Sequence, residues 1–477
     1  MEFPITSAKE LFILLKNNSS GDLIVCRTKR PSINPIPTPV SISAEDRFLH
    51  TLILGPTGCG KSNAMLSMIQ QDIDNPEWGA TVLDPKGDLA LHTFLLAKES
   101  GRSAFLFDPT LKNCPKYNPL AGREVDVVEN IVTVFRLINA DSPQFFLDLN
   151  EQLLRNAVKV LKRLDASEGV EGKYATLIRL SHLLQNSGGQ GRDLVNAFSK
   201  ISAAIDSEAK ENADITSWFL NDYFPERSKI YENTAGLRSQ VAKLVSNEYL
   251  RKILNPDFDK GERSGLDFAA GLRNGDILCI STAQVQLRDL SRYLALFMMT
   301  GFETAVARRS DDDQQPHAMY IDGLYDFSYD GLFDLLACGR AHHVGLVMSA
   351  QSRILMTRNR TIDDRNLIER ISANSRNVIL HAGLSEEDIS YYMSQITIWH
   401  DPIFFPSKPL KAKEPSRKEL EEACVWDEDN PGRVVCSLVS NGQIRPPVIG
   451  HVLPFPEKTM ESLRGKAREY RVQHQLS

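Results

Sequence analysis

The stretch LILGPTGCGKS, Leu52 to Ser62, joins an apolar run directly to Gly-x-x-x-x-Gly-Lys-Ser. That order suits a phosphate cradle: a buried strand, a glycine turn, then the first turn of a helix. Gly55, Gly58 and Gly60 let the backbone curl so that its N–H groups converge on phosphate oxygens. Pro56, Thr57, Cys59 and Asn63 complete the loop and its exit, so residues 55–63 are read as the nucleotide-binding stretch. Lys61 supplies a mobile positive charge for the outer phosphates, and Ser62 a hydroxyl for Mg²⁺. A helix predicted over roughly Lys61 to Ile73 aims the positive end of its dipole at the same anion. The motif implies binding of a nucleoside triphosphate and leaves open what the energy is used for.

Outward from this stretch, ATVLD ends at Asp84 and runs into DPKGDL; SAFLF ends at Phe107, with YNPL at 117–120 beyond it. Helix-length gaps separate these apolar runs, which predicts an α/β fold with a mostly parallel sheet. Such sheets hold ligands at the carboxyl ends of their strands, where the glycine turn, Asp84 and Asp108 all fall. From about 125 to 262 the pattern becomes helical, with Phe146, Leu149, Leu153, Val160, Leu161 and Leu164 at helical spacing. This part is read as an inserted all-α domain. Strand signals return in DILCIS (276–281), AMYID (318–322), VGLVMSAQ (344–351) and RNVILH (376–381), with a long helix over 288–308.

The expected division is therefore an N-terminal segment and Pro-rich linker (1–44), a nucleotide-binding domain in two parts (45–124 and 263–400), the insertion (125–262) between them, and a C-terminal segment (401–477). Residues 31–40, PSINPIPTPV, carry four prolines and read as an extended connector rather than an element. The C-terminal segment holds strand-like VVCSL and PVIGHV and a basic, helical end.

With 477 residues, 42% of them hydrophobic, the chain is long enough for a large core and a second domain. A net charge of −6 advertises no global field for nucleic acid, so any such contact needs a local basic surface. The seven cysteines form no C-x-x-C pair, which fits reduced thiols in a cytoplasm. No signal peptide is read at the N-terminus. The longest apolar stretches, near Leu11–Leu15 and Tyr293–Thr300, fall short of the ~20 residues of a spanning helix. The expected location is cytoplasmic, free or peripheral at the inner face of the membrane.

A P-loop enzyme also needs a carboxylate on a neighbouring strand to hold Mg²⁺, and Asp322, after Met319–Tyr320–Ile321, is placed to supply it. In many such motors a Glu follows this Asp; here Gly323 stands instead. Asp84, Asp88 and Asp326 are the substitutes for the missing base. Gln351, ending the VGLVMSAQ strand, has an amide that senses a γ-phosphate or orients water by both donating and accepting. Arg340, just before that strand, is a guanidinium able to reach a neighbouring subunit's nucleotide. His342 and His343 are adjacent and diverge on a strand, which argues against a metal pair.

Several signatures occur in a fixed order: GPTGCGKS, VLDPKGDL, FDP with YNPL, FFLDLNEQLLRNAVKVL, DFAAGLRNGDILCIS, MYID, ACGRAHHVGLVMSAQS and ISANSRNVILHAGLSEED. Over roughly residues 48 to 395 the chain resembles the coupling ATPases of type IV secretion and bacterial conjugation, within the FtsK–HerA motor superfamily. The resemblance implies a RecA-like P-loop NTPase core with the all-α insertion, ATP and Mg²⁺ bound at subunit boundaries, and a homohexameric ring. It implies single-stranded DNA or a nucleoprotein as cargo and type IV channel components as partners. By position Lys61 and Ser62 match the family's loop, Asp322 its Walker B aspartate, Gln351 its glutamine, and Arg340 an arginine acting across the interface. The family's usual N-terminal membrane anchor is not read here, so a separate membrane-anchored partner is expected, or a soluble branch.

The leading expectation is thus an ATP-driven motor delivering DNA or nucleoprotein to a type IV channel. The alternatives are a nucleotide-dependent substrate adaptor with weak or no hydrolysis, given Gly323, and a cytosolic DNA translocase of the same superfamily.

Overall fold

Apolar strands with few polar interruptions must be covered on both faces, and the structure covers them. The computed structural model describes residues 21–30, 34–201, 206–310, 314–356, 362–398, 415–453 and 455–475. Counting along the chain, β1 (Leu23–Arg30) and β2 (Asn34–Ile42) precede the strand of the glycine turn, β3 (Thr51–Leu54). Then come β4 (Gly79–Asp84), β5 (Ala104–Phe107), β6 (Ile277–Ser281), β7 (His317–Ile321), β8 (Val344–Ala350) and β9 (Asn377–His381). The seven strands β3 to β9 lie parallel in the order β9-β3-β8-β7-β4-β6-β5. Leu54 stands opposite both Leu380 and Ala350, and Ile321 opposite Leu83 and Met348. The carboxyl ends of these strands therefore form one edge.

Side chains alternate between two cores, as the period of a strand requires. On β6, Leu278 and Ile280 face one core and Ile277 and Cys279 the other. The second core is closed by the helices Lys61–Asp74, Asp88–Glu99 and Glu457–His474. The first runs on without a break into the inserted region, where every described element from Glu124 to Lys260 is helical. The helix Leu290–Ala307 is the shared wall: Tyr293 packs edge-on against Phe135 at 5.7 Å, and Thr304 accepts from Asn130 at 3.0 Å.

One departure from the sequence reading is the proline stretch. Asn34–Ile42 is a strand, β2, paired antiparallel with β1 at the extreme edge of the sheet. Pro35, Pro37 and Pro39 occupy alternate positions, so their missing N–H groups fall on one edge of the strand, which an edge strand tolerates and a central one does not. The run Leu11–Leu15 lies outside the described residues. The chain's two ends also share a wing: the strand-like VVCSL and PVIGHV are strands, but their pairing with the N-terminal strands is not readable locally. After a short hairpin of β11 (Val439–Ser440) and β12 (Gln443–Ile444), β13 (Val448–Val452) pairs with β1 and with β10 (Arg433–Ser437), and β10 pairs with β9, all antiparallel.

A buried ionic knot fastens this wing side to the rest. Arg47 grips Asp72 with a two-pronged contact of 2.7 and 2.8 Å, the Tyr320 hydroxyl donates to Asp72 at 2.6 Å, and the guanidinium lies 3.5 Å from the centre of the Trp78 ring.

Candidate nucleotide site at the carboxyl ends of the strands

The turn between β3 and the helix Lys61–Asp74 is shaped by glycine. Gly60 caps the helix at φ 98°, a left-handed conformation that a side chain would strain. Lys61 folds back over the turn, its Nζ donating to Gly55 O at 2.6 Å and Pro56 O at 2.9 Å. Burial pushes the Lys61 ammonium below its ordinary pKa, opposed by the Asp322 carboxylate. A lysine parked on carbonyls is available to exchange them for phosphate oxygens.

Asp322, the residue after β7, faces this lysine's neighbour. Ser62 Oγ donates to Asp322 Oδ2 at 2.7 Å, and Ser349 Oγ donates to Oδ1 at 2.7 Å. Gly323 N completes the chain by donating to Ser349 Oγ at 3.0 Å. A hydroxyl and a carboxylate in contact at the helix start are the hard oxygen donors that Mg²⁺ takes, with water and phosphate filling its remaining positions. The residues present thus fit that ion.

Gln351 belongs to the same edge. Gly55 N donates to Ala350 O at 3.2 Å, so Gln351, exposed, follows directly beside the turn. Arg340 does not join it. It sits exposed in the turn Gly339–His342, before β8, at the amino end of the strand. The seven residues of β8, at about 3.3 Å each, hold it some 20 Å away from its own chain's site. His342 and His343 lie at that far end too, where the His343 ring stacks on Phe48 and meets Gln314 O at 3.0 Å.

The three carboxylates weighed as a base are occupied otherwise. Asp84 accepts from Lys86 N, Leu89 N and Ala90 N at 2.9, 2.7 and 3.2 Å, so DPKGDL is the cap of the helix Asp88–Glu99. Burial, aided by the charge of Asp322, pushes its pKa up to about 6. Asp88 pairs with Arg471 at 2.7 Å, and Asp326 accepts from Gln284 at 2.8 Å. Gly323 itself has φ 80°, and a carbon added there meets only Pro85 Cγ at 3.7 Å. Space is open, but a Glu would bear left-handed strain of about 1–2 kcal/mol.

Sequence reasoning missed three contributors. Ser349 orients Asp322, and only the parallel register of β7 and β8 reveals it. Lys86 is a second cation near Lys61; its signal was the lysine in DPKGDL, just past a strand end. His381, at the end of β9, lies beneath the turn. Its Nδ1 meets Cys59 O at 3.1 Å, and since a carbonyl only accepts, Nδ1 carries the proton. Burial and the nearby Lys61 charge lower its pKa to about 4, so the ring is neutral near pH 7. A trans peptide points its C=O and N–H oppositely, so pinning Cys59 O downward sends Gly60 N–H toward the concave side. His381→Leu is accordingly expected to weaken ADP binding about tenfold, with His381→Asn recovering most of it, read by calorimetric titration beside a melting curve for each variant. Equal affinities in all three proteins would remove this role.

A glycine-capped turn over a lysine, a serine hydroxyl on an aspartate of the adjacent parallel strands, and the parallel sheet itself define the class: a P-loop NTPase with a RecA-like core. More particularly, residues 40–212 match the model of the family described as Type IV secretory system Conjugative DNA transfer, the family already suggested by the motifs. No curated protein matches the chain. Among solved structures, the chain is similar to the plasmid coupling protein TrwB in complex with a non-hydrolysable ATP analogue, ADPNP. That match has TM-score 0.59 and 14% identity, over 95% of this chain and 93% of that one. TrwB in complex with ADP and Mg²⁺ matches with TM-score 0.55 and 15% identity, over 90% and 89%. VirB4 of Thermoanaerobacter pseudethanolicus matches with TM-score 0.56 and 13% identity, over 93% and 99%. At such identities the likeness to these structures is one of fold.

Proposed function

We propose that the chain is a coupling motor that binds ATP with Mg²⁺ and uses hydrolysis to deliver single-stranded DNA or a nucleoprotein to a type IV secretion channel. The observation that carries this is the Ser62–Asp322 contact of 2.7 Å beside the lysine-bearing turn, in a chain whose residues 40–212 match the conjugative DNA transfer family. TrwB, of the same fold, is bound to ADP and Mg²⁺ or to an ATP analogue in its own structures. The backbone N–H groups of residues 58–62 and Lys61 would hold the phosphates, and Ser62 and Asp322 would hold the ion, which would neutralise phosphate charge. Gln351 orients the attacking water or senses the γ-phosphate. Arg340, remote from its own site, serves a neighbour's in a homohexameric ring. The inserted helices select cargo, and a membrane-anchored partner brings the ring to channel components at the cytoplasmic face.

The reading is tested by ATP turnover with and without single-stranded DNA. Stimulation that falls off with salt is expected, because phosphate contacts release counterions. A preference for duplex would favour a chromosomal translocase instead. Gly323, with Asp84, Asp88 and Asp326 all engaged, favours a second reading, a nucleotide-dependent adaptor. Tight ATP binding without turnover, with DNA present, would select it.

A further inference from the structure

Two large apolar side chains stand open side by side near the cradle: Val425, 56% exposed, and Trp426, 49% exposed. They follow the helix Arg417–Ala423, and their backbone is anchored rather than loose. Gly383 N donates to Cys424 O at 2.7 Å, and Arg433 donates to Val425 O at 2.7 Å and to Ala423 O at 3.0 Å. Gly383 lies between the indole and the phosphate turn. A carbon added to it would stand 2.9 Å from Pro56 Cγ and 3.5 Å from Trp426 Cε3. The glycine thus lets the two rings approach each other closely, where a side chain would push them apart.

The sheet order says what meets the open face of the indole. Asp322 follows β7 and Gln351 follows β8, both on one side of β3, while β9, with Gly383 after it and Trp426 beside Gly383, lies on the other. The ion and outer phosphates are drawn toward Asp322, so the ribose and base leave the cradle on the β9 side. We propose that Trp426 is the platform on which the base of the bound nucleotide stacks, with Val425 and Pro56 as apolar flanks. This rests on the nucleotide reading of the cradle. Every base has a π-face, so such a platform strengthens binding of the nucleotide relative to bare polyphosphate. An indole half in water is also covered by the stacking, which removes apolar area from solvent.

The test is calorimetric titration of the full chain with ADP and, separately, with tripolyphosphate, which has phosphates and no base. Trp426→Ala is expected to weaken ADP binding by about tenfold and leave tripolyphosphate unchanged, and Trp426→Phe to recover most of the loss. ADP is also expected to quench indole emission in the wild type and not in Trp426→Phe. Trp426→Ala binding ADP like the wild type, while Lys61→Ala loses both ligands, would overturn the platform and spare the cradle. A parallel loss of tripolyphosphate in Trp426→Ala would show a structural role and overturn it as well. Failure of the wild type to bind either ligand would overturn the cradle, and this inference with it.

Discussion

Lys61→Ala is expected to lower ATP turnover by about 10²–10³-fold, the scale of removing one preorganised donor from developing charge. Lys61 Nζ is held above the turn by Gly55 O and Pro56 O at 2.6 and 2.9 Å, with Cys59 Sγ at 3.9 Å. Each of these is a weak neutral acceptor, so a phosphate oxygen outcompetes them. Alanine removes the side chain that donates to those two carbonyls and leaves Lys86, on the neighbouring turn, as a nearby cation. Release of inorganic phosphate at saturating ATP measures the change. Turnover equal to wild type would rule out this turn as the site of hydrolysis. The same variant should melt at nearly the wild-type temperature, since its lost contacts are partly open to water.

The second large effect is on stability. Arg47→Ala is expected to cost about 3–5 kcal/mol, because it strands a buried carboxylate. Arg47 and Asp72 have side chains only 5% and 2% exposed. Without the guanidinium, the Asp72 carboxylate keeps the Tyr320 hydroxyl, Arg102 donates to the Asp72 backbone carbonyl rather than to the carboxylate, and the Trp78 face loses its cation. Urea denaturation reads the loss as a lowered midpoint. A cost below about 1 kcal/mol would mean that water reaches Asp72 and the knot is solvated. Replacing both partners with apolar residues is expected to recover part of the loss, since the unpaired charge, more than the missing pair, is what destabilises.

The parallel half of the sheet was legible because its strands are short apolar runs separated by helix-length stretches, and each such run is a strand in the structure. Gly55–Asn63 and Asp322 were legible for the same local reason: their chemistry is written in consecutive residues. The wing was not. Strands β1 and β13 pair Cys26 with Val452, and nothing local in either segment marks the partner. The prolines of β2 pointed away from a strand because an edge position, which tolerates them, is a property of the sheet and not of the segment. Ser349 and His381 are ordinary residues at strand ends and Trp426 one just past a helix, and register and a distant turn bring them together. Gly323 is a different case. The sequence showed that the usual Glu is missing, and φ 80° shows that the backbone itself has become glycine's.

The antiparallel wing has a consequence for how the protein is made. During synthesis the phosphate turn emerges early, yet β9 acquires its outer neighbour only when β10 has been translated, and β1 acquires β13 later still. Until then Gly383 N has no Cys424 carbonyl to bind. Closing so long a loop is entropically late and kinetically slow. The wing is therefore expected to form last, after the parallel strands have paired.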